Sequence, residues 1–196
     1  MTYKILLAAT ASLALGLGGC NNDADDTAAN DMMAANDMAA NDMAMSNDMA
    51  VPAEAPLATA DFIAAAAASD MYEIEAGKLA ADKGSTQAIK DFGTMLQTDH
   101  KSSTDQLKAD AAEVPSTMPV AEMTAEQKDM IDALKAASGA DFDKAFLGQQ
   151  VTAHTKALAM LNAYAAGGEA DPIKQFATKV TPVVQGHLDK AKSMQQ

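Results

Sequence analysis

Met95-Leu96-Gln97-Thr98-Asp99-His100 stands in the middle of a long stretch with helical spacing of its apolar residues. His100 falls in line with Leu96, Ser103 and Leu107. Steps of three and four bring side chains onto one face only in a helix, so the spacing puts a histidine on an inward helical face. His154 and His187, the other two of the 3 histidines, are placed the same way in two further helical stretches.

The flanking sequence reads as more helices of the same kind. A first long helix is expected over about 61–83, capped by Thr59 or Asp61 and ended by Gly84. Phe62, Ala66, Ser69, Glu73, Gly77 and Ala80 form its inner line, with Ile63, Met71 and Ile74 as a second apolar strip. The helix that carries His100 starts after Ser85 or Thr86, runs to about 113, and presents Ile89, Phe92, Leu96 and Leu107 inward. Pro115 and Pro119 break the chain. Thr124-Ala125-Glu126-Gln127 has the pattern of a capping box and opens a short amphipathic helix with Met130, Ile131 and Leu134 on its apolar side. After Ser138-Gly139, a third long helix over about 140–165 turns Phe142, Phe146, Leu147, Val151, His154, Leu158 and Leu161 inward. Gly167-Gly168 ends it, and Asp171-Pro172 opens the fourth, expected to bury Phe176, Val180, Val183, His187, Ala191 and Met194. Pro182 falls inside that pattern and predicts a kink or a restart. Two long helix pairs joined by a long connection imply an all-α fold, a four-helix bundle over 58–196 with an extra short helix in the crossover between its second and third long helices.

Composition agrees with that reading. Ala and Met are abundant, Trp is absent and aromatic residues make up 4% of the 196-residue chain, which favours close-packed helices over strands. The formal net charge of -13 argues against nucleic acid, whose phosphates need Lys and Arg, and against electrostatic attachment to anionic lipid.

The N-terminal region reads as an export signal. Lys4 precedes an apolar run from Ile5 to Leu17, shorter than the about 20 residues that cross a bilayer. Leu17-Gly18-Gly19-Cys20 resembles the bacterial lipobox, in which the signal is cut before a cysteine that carries acyl chains. Cys20 is the 1 cysteine of the chain, so it has no internal disulfide partner, and lipidation accounts for it. The expectation is a signal peptide over 1–19 and a lipid-anchored mature protein with no transmembrane helix, outside the cytoplasm. Asn21 in place of Asp favours the periplasmic face of the outer membrane over the inner membrane.

Residues 20–57 are low in complexity. Asn-Asp-Met recurs at Asn30, Asn36, Asn41 and Asn47, and Pro52 and Pro56 close the segment. Asp and Asn disfavour helix and no large aliphatic face exists, so the stretch reads as a disordered acidic tether, long enough to reach roughly 30–40 Å. Thioether ligation of Cu(I) by its methionines is the competing reading.

Met71 through Ala80, Met95 through His100, Gly139 through Asp143, Val151 through His154 and Pro182 through Leu188 resemble the bacterial family catalogued as domain of unknown function 4142. The resemblance covers about 60–194. It implies a ferritin-like four-helix fold and an exported protein, often a lipoprotein, and it carries no assigned activity.

Glu73, His100, His154 and His187 come one from each long helix and all point inward on these phases. Neutral imidazoles with a carboxylate form a ligand set for a single transition-metal ion such as Zn, Cu or Fe, and bundle cores commonly hold metals. Glu75 and Asp99 are candidates for the groups that orient those ligands. Ferritin's di-iron pattern needs Glu-x-x-His on two helices, whereas Gln97, Val151 and Val184 stand three residues before the histidines. A two-iron ferroxidase is therefore not expected. The other reading of the four residues is a satisfied polar core in which the histidines pair with Glu73 or with backbone carbonyls. No Ser-His-Asp arrangement, Cys-His pair or phosphate-cradling loop offers a catalytic residue. The leading reading is a non-enzymatic binding or envelope-stress accessory module, with a mononuclear metal-binding protein as the alternative. Protein partners are not identified by the sequence.

Overall fold

The computed structural model describes residues 55–115 and 121–196. The signal peptide, Cys20, nearly all of the tether and Pro119 lie outside the described residues.

Every regular element among the described residues is helical. In chain order they are α1 (Thr59–Lys83), α2 (Gln87–Ala111), α3 (Ala125–Ala136), α4 (Gly139–Gly167) and α5 (Asp171–Ser193). None is long and apolar enough to cross a membrane.

The starts follow local chemistry. Thr86 caps α2 by accepting from the Ile89 N–H, and Thr124 and Gln127 form the expected capping box at α3. The expected cap on the first helix is not made: Ala58 occupies that position, and α1 begins with no side-chain bond to its free N–H groups. Thr59 instead faces α4, its hydroxyl 2.7 Å from the Tyr164 phenol oxygen. α5 passes Pro182 as one helix rather than restarting there.

Short connections make α1–α2 and α4–α5 antiparallel pairs. The Thr59–Tyr164 contact joins the start of α1 to the end of α4, so those two are antiparallel as well. Asp99 meets His187 and Gln106 meets Lys179, which sets α2 antiparallel to α5. α2 and α4 thus run the same way, joined by a crossover that spans the length of the bundle. α3 lies in that crossover and packs against α1 and α4. Lys83, at the end of α1, donates to the Leu134 and Lys135 carbonyls at 2.9 and 2.6 Å and so satisfies the open end of α3.

Two glycines let α1 and α2 come together. A Cβ on Gly77 would lie 2.6 Å from the Gly93 carbonyl oxygen, and one on Gly93 would lie 2.5 Å from that of Gly77. At such a distance only hydrogen fits between the backbones.

The apolar interior is in two parts. One gathers Phe62, Leu107, Leu161, Tyr164 and Phe176; the other gathers Phe92, Leu96, Leu134, Phe142 and Phe146. Six polar residues are buried as well: Asp70, Glu73, His100, Gln150, His154 and His187. On α2 and α4 they fall between the residues of one apolar part and those of the other, and on α1 and α5 they lie where the two parts meet, with Tyr72 and Leu188 overlapping them. The bundle therefore has a polar belt at its waist.

Candidate metal centre

Each helix delivers its belt residue by simple periodicity. His100 follows Leu96 by one turn, His154 precedes Leu158 by one turn, and His187 lies between Val184 and Ala191, with all four apolar neighbours buried. The imidazole centroids form a triangle, with sides of 5.3 Å for His154–His187, 5.4 Å for His100–His187 and 5.8 Å for His100–His154. A ring nitrogen from each lies within 4.8 Å of the other two. Among the described residues these are the groups placed to hold a metal ion.

The hydrogen bonds fix which nitrogen each ring turns inward. His154 Nδ1 is 3.0 Å from the Gln150 carbonyl, which can only accept, so Nδ1 carries the hydrogen and Nε2 the lone pair. His187 Nε2 donates to Asp99 Oδ2 at 2.9 Å, which leaves the lone pair on Nδ1. These two lone-pair nitrogens face each other at 3.3 Å. His100 Nδ1 donates to Asp70 Oδ1 at 2.7 Å, and Asp70 is held in turn by the Thr104 hydroxyl at 3.0 Å. The Nε2 of His100 is buried and has no partner. All three rings thus have an oxygen acceptor behind them and a free nitrogen in front, the arrangement that orients metal-ligating histidines.

The proton affinities follow from burial and neighbours. Burial pushes the His154 pKa down to about 3, helped by the charges of His100 and His187. Burial also holds His187 below the usual imidazole range, against the pull of its bond to Asp99. Burial opposes charge on His100 too, but the bond to Asp70 and the nearby carboxylates outweigh it and raise its pKa. Two of the three imidazoles are therefore neutral near pH 7, as ligands must be.

Glu73 is 1% exposed, yet it does not join the three nitrogens. Its Oε1 lies 3.7 Å from His154 Nδ1, behind that ring, and its Oε2 has no partner. Burial raises its pKa to about 7, offset in part by the charge of His100. With His154 neutral, the Glu73–His154 contact is not an ion pair. The Gln150 amide lies near Glu73 but makes no aligned hydrogen bond through either of its polar atoms. Of the two orienting groups expected from the sequence, Asp99 stands behind His187. Glu75 is not brought to the cluster: it is on the outer side of α1, where it accepts from Lys78 at 3.2 Å. Asp70 and Gln150 are the site residues that sequence reasoning passed over. Asp70 shares a helical line with Ala66, Glu73 and Gly77, but the neighbouring line through Ser69 fits the same period equally well.

A cleft of about 230 Å³ opens beside the cluster. Asp70, Asp99, His100 and His187 line it, together with Met160, Leu161, Phe176, Val180 and Val184.

An all-helical bundle with three histidines converging at its waist is the class of protein these observations define. The chain belongs to the family described as Domain of unknown function (DUF4142), whose sequence model matches residues 44–194. No curated protein and no solved structure matches it.

Proposed function

We propose that this chain is a metal-binding module of the bacterial envelope, holding one transition-metal ion between His100 Nε2, His154 Nε2 and His187 Nδ1. The facing lone pairs of His154 and His187 carry the reading. Two lone pairs at 3.3 Å repel unless a proton or a cation lies between them, and burial disfavours the proton on both rings. Nitrogens bound tetrahedrally to zinc at about 2.0–2.1 Å are about 3.3 Å apart, the separation of His154 Nε2 from His187 Nδ1, and a His100 nitrogen lies within 4.8 Å of both. The orphaned His100 Nε2 is explained by the same ion. Neutral imidazoles suit Zn and Cu, with Cu(II) the tighter binder.

The up-down-down-up order of the long helices and the crossover between α2 and α4 support a ferritin-like bundle. The mononuclear form fits the absence of Glu-x-x-His. Lipid attachment at Cys20 and a place on the periplasmic face of the outer membrane remain part of the proposal, supported by Leu17-Gly18-Gly19-Cys20 and Asn21. A Cys20→Ala change should then leave an unprocessed or soluble protein; unchanged membrane partitioning would count against the anchor.

Untagged protein should bind one Zn or Cu per chain by elemental analysis. At a hundredfold excess of free metal over Kd the stabilisation is about 2.7 kcal/mol, roughly 5–10 °C in Tm for a domain of this size. His154→Ala and His187→Ala should abolish both effects while far-UV circular dichroism stays helical. A wild-type protein that takes up no metal and melts at the same temperature with and without it would overturn the proposal.

A further inference from the structure

Three protein nitrogens leave a tetrahedral ion one position short, and in zinc sites of this kind the fourth position takes water or a substrate. The cleft is lined by His100 and His187, together with Asp70 and Asp99, and not by His154. Its volume of about 230 Å³ exceeds the ~150 Å³ that accommodates benzene in an apolar cavity. Its walls are mostly aliphatic and aromatic, from Met160, Leu161, Phe176, Val180 and Val184, with Ser69, Ser102, Ser103 and Gln106 as polar lining. Lys179 stands at the exposed end, where its Nζ donates to the neutral amide oxygen of Gln106 at 2.9 Å. Among the described residues Lys179 has no carboxylate partner, in a chain of net charge -13.

Resting on the metal reading above, we infer that the cleft admits a small monocarboxylate with an apolar body, of about the size of benzoate, whose carboxylate takes the open position on the ion. Lys179 supports the choice: an exposed ammonium with no carboxylate partner favours an anion over a neutral ligand, and a small dianion leaves the apolar walls uncovered.

The test uses the full chain loaded with Co(II), whose visible bands report a change of ligand. Benzoate should shift these bands saturably. Benzyl alcohol and sulfate should not. Val183→Trp, at a cleft-lining position 45% exposed, narrows the opening without entering the core. It should abolish the benzoate shift and leave cobalt loading intact. Lys179→Ala should weaken benzoate by roughly two- to fivefold, the size expected for an exposed charge. A loaded protein whose bands ignore benzoate overturns the inference and leaves the metal reading standing, as does an equal response to sulfate. A protein that never takes up cobalt overturns both, and the absence of visible bands distinguishes that failure from the first.

Discussion

The polar belt has four buried side-chain atoms without partners: Glu73 Oε2, His100 Nε2 and both polar atoms of the Gln150 amide. Each such atom costs about 1–3 kcal/mol, so the belt weakens the bundle it crosses. An ion accounts for the histidine nitrogen but not for Glu73, which makes Glu73 the place to test the metal-free state. A carboxyl whose pKa is raised to about 7 in the fold stabilises the protein below the usual carboxylate range, and that contribution is lost as pH rises through 7. Glu73→Gln keeps the shape and removes the titration. The variant should match wild type near pH 4.5 and exceed it above pH 7, by on the order of 3 kcal/mol. Urea denaturation of metal-free protein at the two pH values checks this, and equal differences at both would show that Glu73 does not resist ionisation. His154 acts in the opposite direction: with its pKa lowered to about 3, it destabilises the fold as pH falls below the free-imidazole range in both proteins. The comparison of variant with wild type cancels that effect.

Among the elements, α1 and α2 set the geometry of the site most directly, because Asp70 on one must meet His100 on the other at 2.7 Å. Gly77 and Gly93 allow that approach. A Cβ on Gly93 would also lie 2.7 Å from the Ala80 Cβ, so no flexible side chain could yield. Gly93→Ala should therefore destabilise by about 1–3 kcal/mol despite the better helix propensity of alanine, and it should weaken metal binding by moving His100. A variant as stable as wild type in urea would show that the helices separate freely. Helix positions were legible in the sequence to within a few residues, because apolar spacing and the Thr124–Gln127 box act locally. The exact face of α5 was not. Val183 is 45% exposed, while Val184 and Leu188 turn inward with His187. The two valines are adjacent and equally apolar, so composition cannot choose between them; packing against α2 and α4 does. The same ambiguity, one residue wide, hid Asp70 behind Ser69. Met71 likewise leaves its expected apolar strip and is 41% exposed.

At the level of the whole molecule, two apolar clusters enclose a belt that carries three histidines and two acids from four helices. The histidines were legible because each falls at helical spacing among apolar residues. Their convergence was only partly so: a helical phase tells which side faces in, but not at which height two helices meet. Glu73 shows the limit, since it faces in as expected and still stands behind His154 rather than beside it. The belt has the form of a site because its acceptors hold all three rings from behind and leave three nitrogens free to converge. The most direct test is anomalous diffraction at the zinc edge, from crystals of untagged protein grown with zinc. A single interior peak is predicted, about 2.0–2.1 Å from nitrogens of His100, His154 and His187. Zinc bound only at surface carboxylates, with the three rings unchanged around an ion-free centre, would contradict the account.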